Sequence, residues 1–299
     1  MRRLHRQGVN ILRQVTASDP YLTGNHGQGD LHRDLLLQWE KVVTDPDWTV
    51  KGWREALSSH WIISSYLRNV TLQRQWFGAS AKVEKSNQNE AEHLSSVMYF
   101  APEKLSGFNV CPSATIGCAE VCLNVSGRST GMKWIVWARI FRTLAWFVFR
   151  DRANAKIEGE IRSHRTRALN KGLIPACRLN GTSDIMWENQ IQMEKFGDVM
   201  FYDYTKVQGR STPSNYHLCL SWSERYDLAD LPELTKRYRI AMVLRVKPKQ
   251  VKPMQIQGIR IADGDHSDLI FQSEIGVIRG LSCKGSAYND KTGFVVDAV

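Results

Sequence analysis

The clearest pattern of apolar and polar positions lies in the second half of the chain, where short apolar runs alternate with turn signals and helix-length segments. Residues 174–179 (IPACRL) predict a strand, 180–184 (NGTSD) a turn with helix-capping residues, and 186–196 a helix. Strands follow at 199–204 (VMFYDY) and 216–221 (YHLCLS), then a helix at 229–237 and a strand at 240–246 (IAMVLRV). Residues 95–101 (SSVMYFA) form an earlier run of strand length, and 130–151 and 153–171 read as two helices, the first aromatic and the second charged. Residues 276–296 read as a β-rich tail with Gly280, Gly285 and Gly293 at turns. Strands alternating with helices predict an α/β fold with a mainly parallel sheet flanked by helices.

Upstream the rhythm differs. Residues 1–80 repeat apolar positions near helical spacing, with Trp39, Trp48, Trp53 and Trp61, and read as a helical N-terminal extension that packs on a partner surface or on the main domain. The polar stretch ASAKVEKSNQNEAEH predicts a linker, placed at 81–94, with the α/β domain occupying 95–299.

Composition adds a bias in charge. The chain has 42% hydrophobic and 23% charged residues, ordinary for a folded protein, but a net charge of +10, which points to an anionic partner such as nucleic acid. The segment 130–171 carries most of the candidates, and Arg162, Arg165 and Arg167 are the residues expected to meet a phosphate backbone. A solvated basic face is the alternative. The apolar stretch 132–149 is interrupted by Lys133, Arg139 and Arg142. A mid-membrane Arg costs about 2.5–3.5 kcal/mol, so a buried helix is expected there and no membrane partner. The basic start of the chain has only a broken apolar run and makes a poor signal peptide. Six cysteines are too few for a disulfide scaffold and imply a reducing compartment.

In parallel α/β sheets, reactive groups gather at the carboxyl ends of the strands. That rule puts four segments on one rim. The first is CPSATIGCAEVC, residues 111–122, with three of the six cysteines. Thiolates on one short loop suit a soft or borderline metal, and Cys118 and Cys122 fall on one face of a helical turn while Cys111 closes from the loop start. The spacing C-x6-C-x3-C matches neither common zinc knuckles nor the radical-SAM loop, and three buried reduced cysteines are the alternative. The second is NGTSD, whose Asn180, Gly181, Thr182, Ser183 and Asp184 can bind a small polar cofactor. The third is FYDYTK, where alternation sends Tyr202 and Tyr204 to one side and Asp203 to the other, with Lys206 beyond. Tyr202, Asp203 and Lys206 are the candidate catalytic groups. The fourth is the segment 221–224. His217 or Cys219 is a candidate fourth metal ligand. Asp263, Asp265, His266 and Asp268 read as a turn first and a hard-cation loop second.

The order CPSATIGCAEVCLNVSGR, RLNGTSDIMWE, FYDYTK, NYHLCLSWSE and GVIRGLSCKGSAYNDKTGFVV resembles the phage-encoded gene product 88 family over roughly residues 79–296. The resemblance implies a bacteriophage protein working in the host cytoplasm, and marks Cys111, Cys118 and Cys122 as the family's cysteine motif. The order strand, cysteine loop, helix, strand, Gly-containing turn is also similar to the first half of a radical-SAM partial barrel. That likeness implies a parallel-sheet partial (β/α) barrel, a [4Fe-4S] cluster on the three cysteines and S-adenosylmethionine at NGTSD. Three readings follow: an iron–sulfur enzyme, a zinc-stapled nucleic-acid-binding protein, and a phage–host interaction protein acting through its N-terminal helices.

Overall fold

The computed structural model describes residues 67–79, 81–89, 92–103, 105–106, 108–122, 133–247 and 253–297. Residues 1–66 of the expected N-terminal extension therefore lie outside the described residues. The chain divides into two compact units: Met1–Trp76, Phe100–Pro112 and Arg128–Ile157 form the first, and Phe77–Tyr99, Ser113–Gly127 and Glu158–Val299 the second.

The second unit holds a ten-stranded sheet. Its strands are β1 (Phe77–Gly78), β2 (His93–Met98), β3 (Ile174–Arg178), β4 (Met200–Thr205), β5 (Tyr216–Ser221), β6 (Arg239–Leu244), β7 (Gln255–Ile256), β8 (Ile259–Asp263), β9 (Ile278–Ser282) and β10 (Val295–Val296). The order is β1-β2-β3-β4-β5-β6-β9-β8-β7, with β10 also beside β6. Among the described residues only β1–β2 and β7–β8 pair antiparallel; the other pairs are parallel. The mainly parallel α/β sheet read from the sequence is therefore present. It is open, running to an edge at β1 and another at β7.

Continuous apolar runs suit these strands because both faces are covered. Tyr202, Cys219 and Ala241 pack on one face with Leu269 and Ile270 of the β8–β9 connection. Leu220, Ile240, Met242 and Leu244 pack on the other with Leu231 and Leu234 of a short helix, α5 (Leu231–Arg237). Pro175 lacks a ladder donor, yet β4 begins to pair with β3 only at Ala176, so no neighbouring strand meets the missing N–H.

Helices fall partly where the pattern put them. α3 (Lys133–Val148) and α4 (Arg150–Leu169) fill the two stretches read as aromatic and charged helices. In the first unit α3 buries Val136, Ile140, Phe141, Leu144, Ala145 and Trp146, as a helix apolar nearly all round must. Phe108 stacks on Phe147 at 4.0 Å between ring centroids. No helix among the described residues is long and apolar enough to cross a membrane.

Two expectations need correction. The stretch read as a linker forms α1 (Ala81–Asn89) and the start of β2. Its polarity misled because α1 buries little beyond Val83 and Ser86, while Asn87 bonds the backbone N–H and C=O of Ser95 like an extra strand residue. The expected helix at 186–196 is instead two 3-10 turns, Trp187–Asn189 and Met193–Phe196, held from outside by Asn215 Nδ2, which donates to Met193 O and Phe196 O.

Candidate functional site

The carboxyl ends of the parallel strands are brought together by a substitution within the sheet. β5 leaves at Trp222, whose N–H donates to Ala241 O at 2.8 Å, and β10 then takes the place beside β6, Val295 opposite Val243. Thr292 and Phe294 thereby come beside Glu224. The Glu224 carboxylate accepts from Thr115 Oγ1 at 2.8 Å and from Gly117 N at 2.7 Å. Thr115 caps the single helical turn α2 (Ile116–Glu120) that carries Cys118. A Cβ on Gly117 would stand 2.5 Å from Phe294 Cβ and 3.1 Å from Glu224 Oε1, so only glycine fits this approach. Cys118 packs against Val121, Cys283, Ala287, Phe294 and Val295.

The remaining motifs join the same rim. Lys206 Nζ donates to Ser221 Oγ at 3.0 Å and lies 5.2 Å from the centroid of the Phe294 ring. Its backbone N–H donates to Asp184 Oδ2 at 2.8 Å. Asp184 also pairs with Arg210, which is held at 2.5 Å by Glu188 and is almost wholly buried. The NGTSD turn is organised by Asn180, whose Oδ1 accepts from Ser183 Oγ, Ile185 N and Trp187 Nε1. Gly181 N donates to Met98 O at 2.9 Å, and a Cβ there would meet Met98 O at 2.6 Å. The turn is thus docked on the end of β2, with Asn180, Ser183 and Asp184 all engaged internally.

Asp203 is fully buried. Its Oδ1 accepts from Asn180 N at 2.7 Å and its Oδ2 from Tyr216 Oη at 2.8 Å. Burial pushes the carboxyl up to about 7 against the opposing pull of Arg178, Asn180, Tyr216 and Arg210. Tyr202 lies on the opposite face, as alternation predicted, its ring 5.8 Å from Phe271. Burial raises its phenol well above the ordinary value. His217 also packs on Phe271, at 5.5 Å, and burial lowers its pKa.

The face that carries Tyr202 and Tyr204 holds a buried polar layer. Arg178 Nη1 donates to Asp268 Oδ2 at 2.7 Å, and its guanidinium lies 4.7 Å from the centroid of the Tyr204 ring. Arg279 reaches Tyr204 Oη, Ser273 Oγ and the carbonyls of Gly264 and Ser267. The aspartate-rich loop is therefore structural: Asp268 pairs with Arg178, and Asp265 accepts from Ser282 N at 2.9 Å.

All six cysteines are thiols. Cys111 belongs to the first unit, where its sulfur accepts from Glu103 N at 3.4 Å and supports that residue at φ +48°, a left-handed conformation rare outside glycine. Cys118 and Cys122 belong to the second unit, and both are half-buried. Among the described residues no group of three His, Cys, Asp or Glu is placed to hold a metal ion. On α4, Arg165 Nε sits 2.7 Å from both Asp198 oxygens, Arg162 lies 3.7 Å from Glu158, and Arg167 is exposed with no ion pair among the described residues.

Residue reading missed Arg210, Glu188 and Arg279, and it placed the segment 221–224 on the rim and Asp268 in a turn without seeing that Glu224 and Asp268 organise their surroundings. Glu224 carried the best available signal, being the first carboxylate after the end of β5.

No curated protein and no solved structure matches the chain. The family model for gene product 88 matches residues 71–298, slightly wider than the span carrying the resemblance. The chain therefore belongs to the gene product 88 family of phage proteins.

Proposed function

We propose that the protein is a phage enzyme of the host cytoplasm that works at the carboxyl edge of its sheet, with a thiolate-held iron–sulfur cluster as cofactor. One observation carries this reading: the cysteine loop, NGTSD, FYDYTK and SWSE meet through direct hydrogen bonds made by Glu224 and Lys206, and the C-terminal KTGF segment packs against Gly117 and Lys206. Five parallel strands, β2 to β6, also lie in chain order. Right-handed crossovers between strands in that order fall on one face, which is how partial (β/α) barrels are built, and that curvature is part of the proposal.

The donors suit a cluster but their arrangement does not assemble one, since no three-ligand group is in place among the described residues. No chemical step is therefore routed through the metal. The reading requires metal itself to gather Cys111, Cys118 and Cys122, as binding that is coupled to folding does. Nor do the NGTSD side chains suit S-adenosylmethionine, because Asn180, Ser183 and Asp184 are committed to the turn and to Asp203, Lys206 and Arg210. Of the three candidate catalytic groups, Lys206 faces the rim, half-buried; Asp203 is a positioning residue behind the NGTSD turn, and Tyr202 belongs to the packed face below.

A zinc site would use the same thiols with Cys219 or His217. Nucleic-acid binding by Arg162, Arg165 and Arg167 has less support, because Asp198 and Glu158 already face two of the three. Protein anaerobically purified should contain iron and absorb in the visible, and Cys111→Ser, Cys118→Ser or Cys122→Ser should each remove both signals. Zinc in place of iron, or iron unaffected by the three substitutions, would sink the iron–sulfur reading.

A further inference from the structure

Cys118 packs into a cluster that holds a cysteine from outside its own loop. That cluster consists of Val121, Cys283, Ala287, Phe294 and Val295, with Val243 and Tyr288 against it. Cys283 follows the last residue of β9, and its N–H donates to Leu244 O at 3.0 Å, which fixes it at the carboxyl end of β6. On the other side of β6, Val295 stands opposite Val243. α2 is drawn onto these segments by Glu224, which accepts from Thr115 Oγ1 and Gly117 N, and by the close approach of Gly117 to Phe294. Cys118, Cys122 and Cys283 therefore belong to one compact unit, whereas Cys111 belongs to the other.

The other candidates for a fourth ligand are placed elsewhere. Cys219 packs with Leu269 and Ile270 under the β8–β9 connection, and the His217 ring lies 5.5 Å from Phe271 of the same connection. Neither is in the cluster that holds Cys118. The surroundings of Cys283 also suit a thiolate. Its thiol donates to Val246 O at 3.8 Å, and Tyr288 Oη donates to the same carbonyl at 3.1 Å. Arg245 is anchored on Tyr288 O and Asp290 O. Burial pushes the Cys283 thiol up, and the Tyr288 hydroxyl and the Arg245 charge work against that push. A hydroxyl donor and a nearby cation are the kind of outer partners that steady a metal-bound thiolate.

We propose that Cys283 is a ligand of the metal at the rim, joining Cys118 and Cys122 from within the same unit. This rests on the rim thiols being a metal site and names the residue that closes it. Together with the three cysteines of the loop, Cys283 makes four thiolates, the set that saturates a tetrahedral zinc ion or a [4Fe-4S] cluster. Each thiol releases its proton to solvent as it binds. A saturated site has no open position for S-adenosylmethionine, in keeping with an NGTSD turn whose side chains are committed to one another and to their neighbours.

The test is anaerobic titration of the full-length protein, freed of metal by a chelator, with cobalt(II), whose thiolate-to-metal absorption grows with the number of sulfurs bound. Cys283→Ser should lower that absorption and weaken binding by at least about tenfold, more than the loss of an outer partner alone, while Cys219→Ala leaves both unchanged. Urea midpoints of the metal-free proteins show whether each variant is folded. A measurement on the wild type needs no variant: cobalt should slow alkylation of Cys118 and Cys283, each read from its own peptide, more than that of Cys177, a buried thiol of β3. No cobalt absorption in the wild type, full absorption and affinity in Cys283→Ser, or a Cys283 labelling rate that changes no more than that of Cys177 would each overturn the proposal and leave Cys283 a core thiol. Iron content of the protein as purified separates the two readings. Cobalt binding lost in Cys283→Ser from a protein that carries no iron removes only the cluster; iron that survives Cys283→Ser and not Cys118→Ser removes only this ligand.

Discussion

Replacing Asp203 by asparagine should change how stability depends on pH. In the folded protein Asp203 has no exposed surface, and burial lifts its carboxyl from 3.8 to about 7, with Arg178, Asn180, Tyr216 and Arg210 resisting. Between those two values the folded chain holds a proton that the unfolded chain has released, so stability falls as pH rises. The contribution is complete below the unfolded value and is lost as pH passes through the folded one. The slope is about 1.4 kcal/mol per pH unit, or about 4 kcal/mol across the window. An asparagine at this position carries no titrating proton. Its side-chain carbonyl can still accept from Asn180 N, and the Tyr216 hydroxyl can rotate to accept from its amide nitrogen; the one bond given up is the long one from Asn180 Nδ2, which still donates to Ile185 O. Urea denaturation of both proteins at intervals between about pH 4 and pH 8 gives the difference in stability directly. His164 and His217, whose pKa values burial lowers, titrate in both chains and cancel in that difference. The difference should move in favour of the Asp203→Asn protein as pH rises and level off above about 7. A difference that stays flat would refute the account of a proton held by burial.

Two further substitutions probe the rim. Gly117→Ala forces a methyl against Phe294 and Glu224 and should cost about 1–3 kcal/mol, with faster labelling of Cys118 by a thiol reagent; an unchanged urea midpoint would show that the approach is not tight. Arg210→Met strands Asp184 and Glu188 and should cost about 3–5 kcal/mol by denaturation; a loss within error of zero would mean that water reaches both carboxylates.

The sequence carried the strand positions well because each parallel strand is a short apolar run closed by a polar turn. β5 occupies the very residues 216–221 that YHLCLS suggested. Alternation also placed Tyr202 and Asp203 on opposite faces correctly. Interactions of long sequence separation left no local trace. Glu224 and Gly117 are 107 residues apart, and nothing in SWSE announces that its carboxylate caps the cysteine loop. The insertion of β9 between β6 and β8 depends on pairing partners that no periodicity encodes. α1 was hidden because its stability comes from hydrogen bonds made by Ser86, Asn87 and Asn89 to other elements, not from an apolar stripe.

The two antiparallel strands at the margins of the sheet have a consequence for behaviour at high concentration. A parallel sheet that ended on a long central-type strand would offer a row of unpaired N–H and C=O groups to any other copy. Here β1 and β7 are each two residues long. A strand that short presents too few backbone groups in line to template the addition of another chain, so the apolar interior runs of β3 to β6 stay shielded from cross-β association.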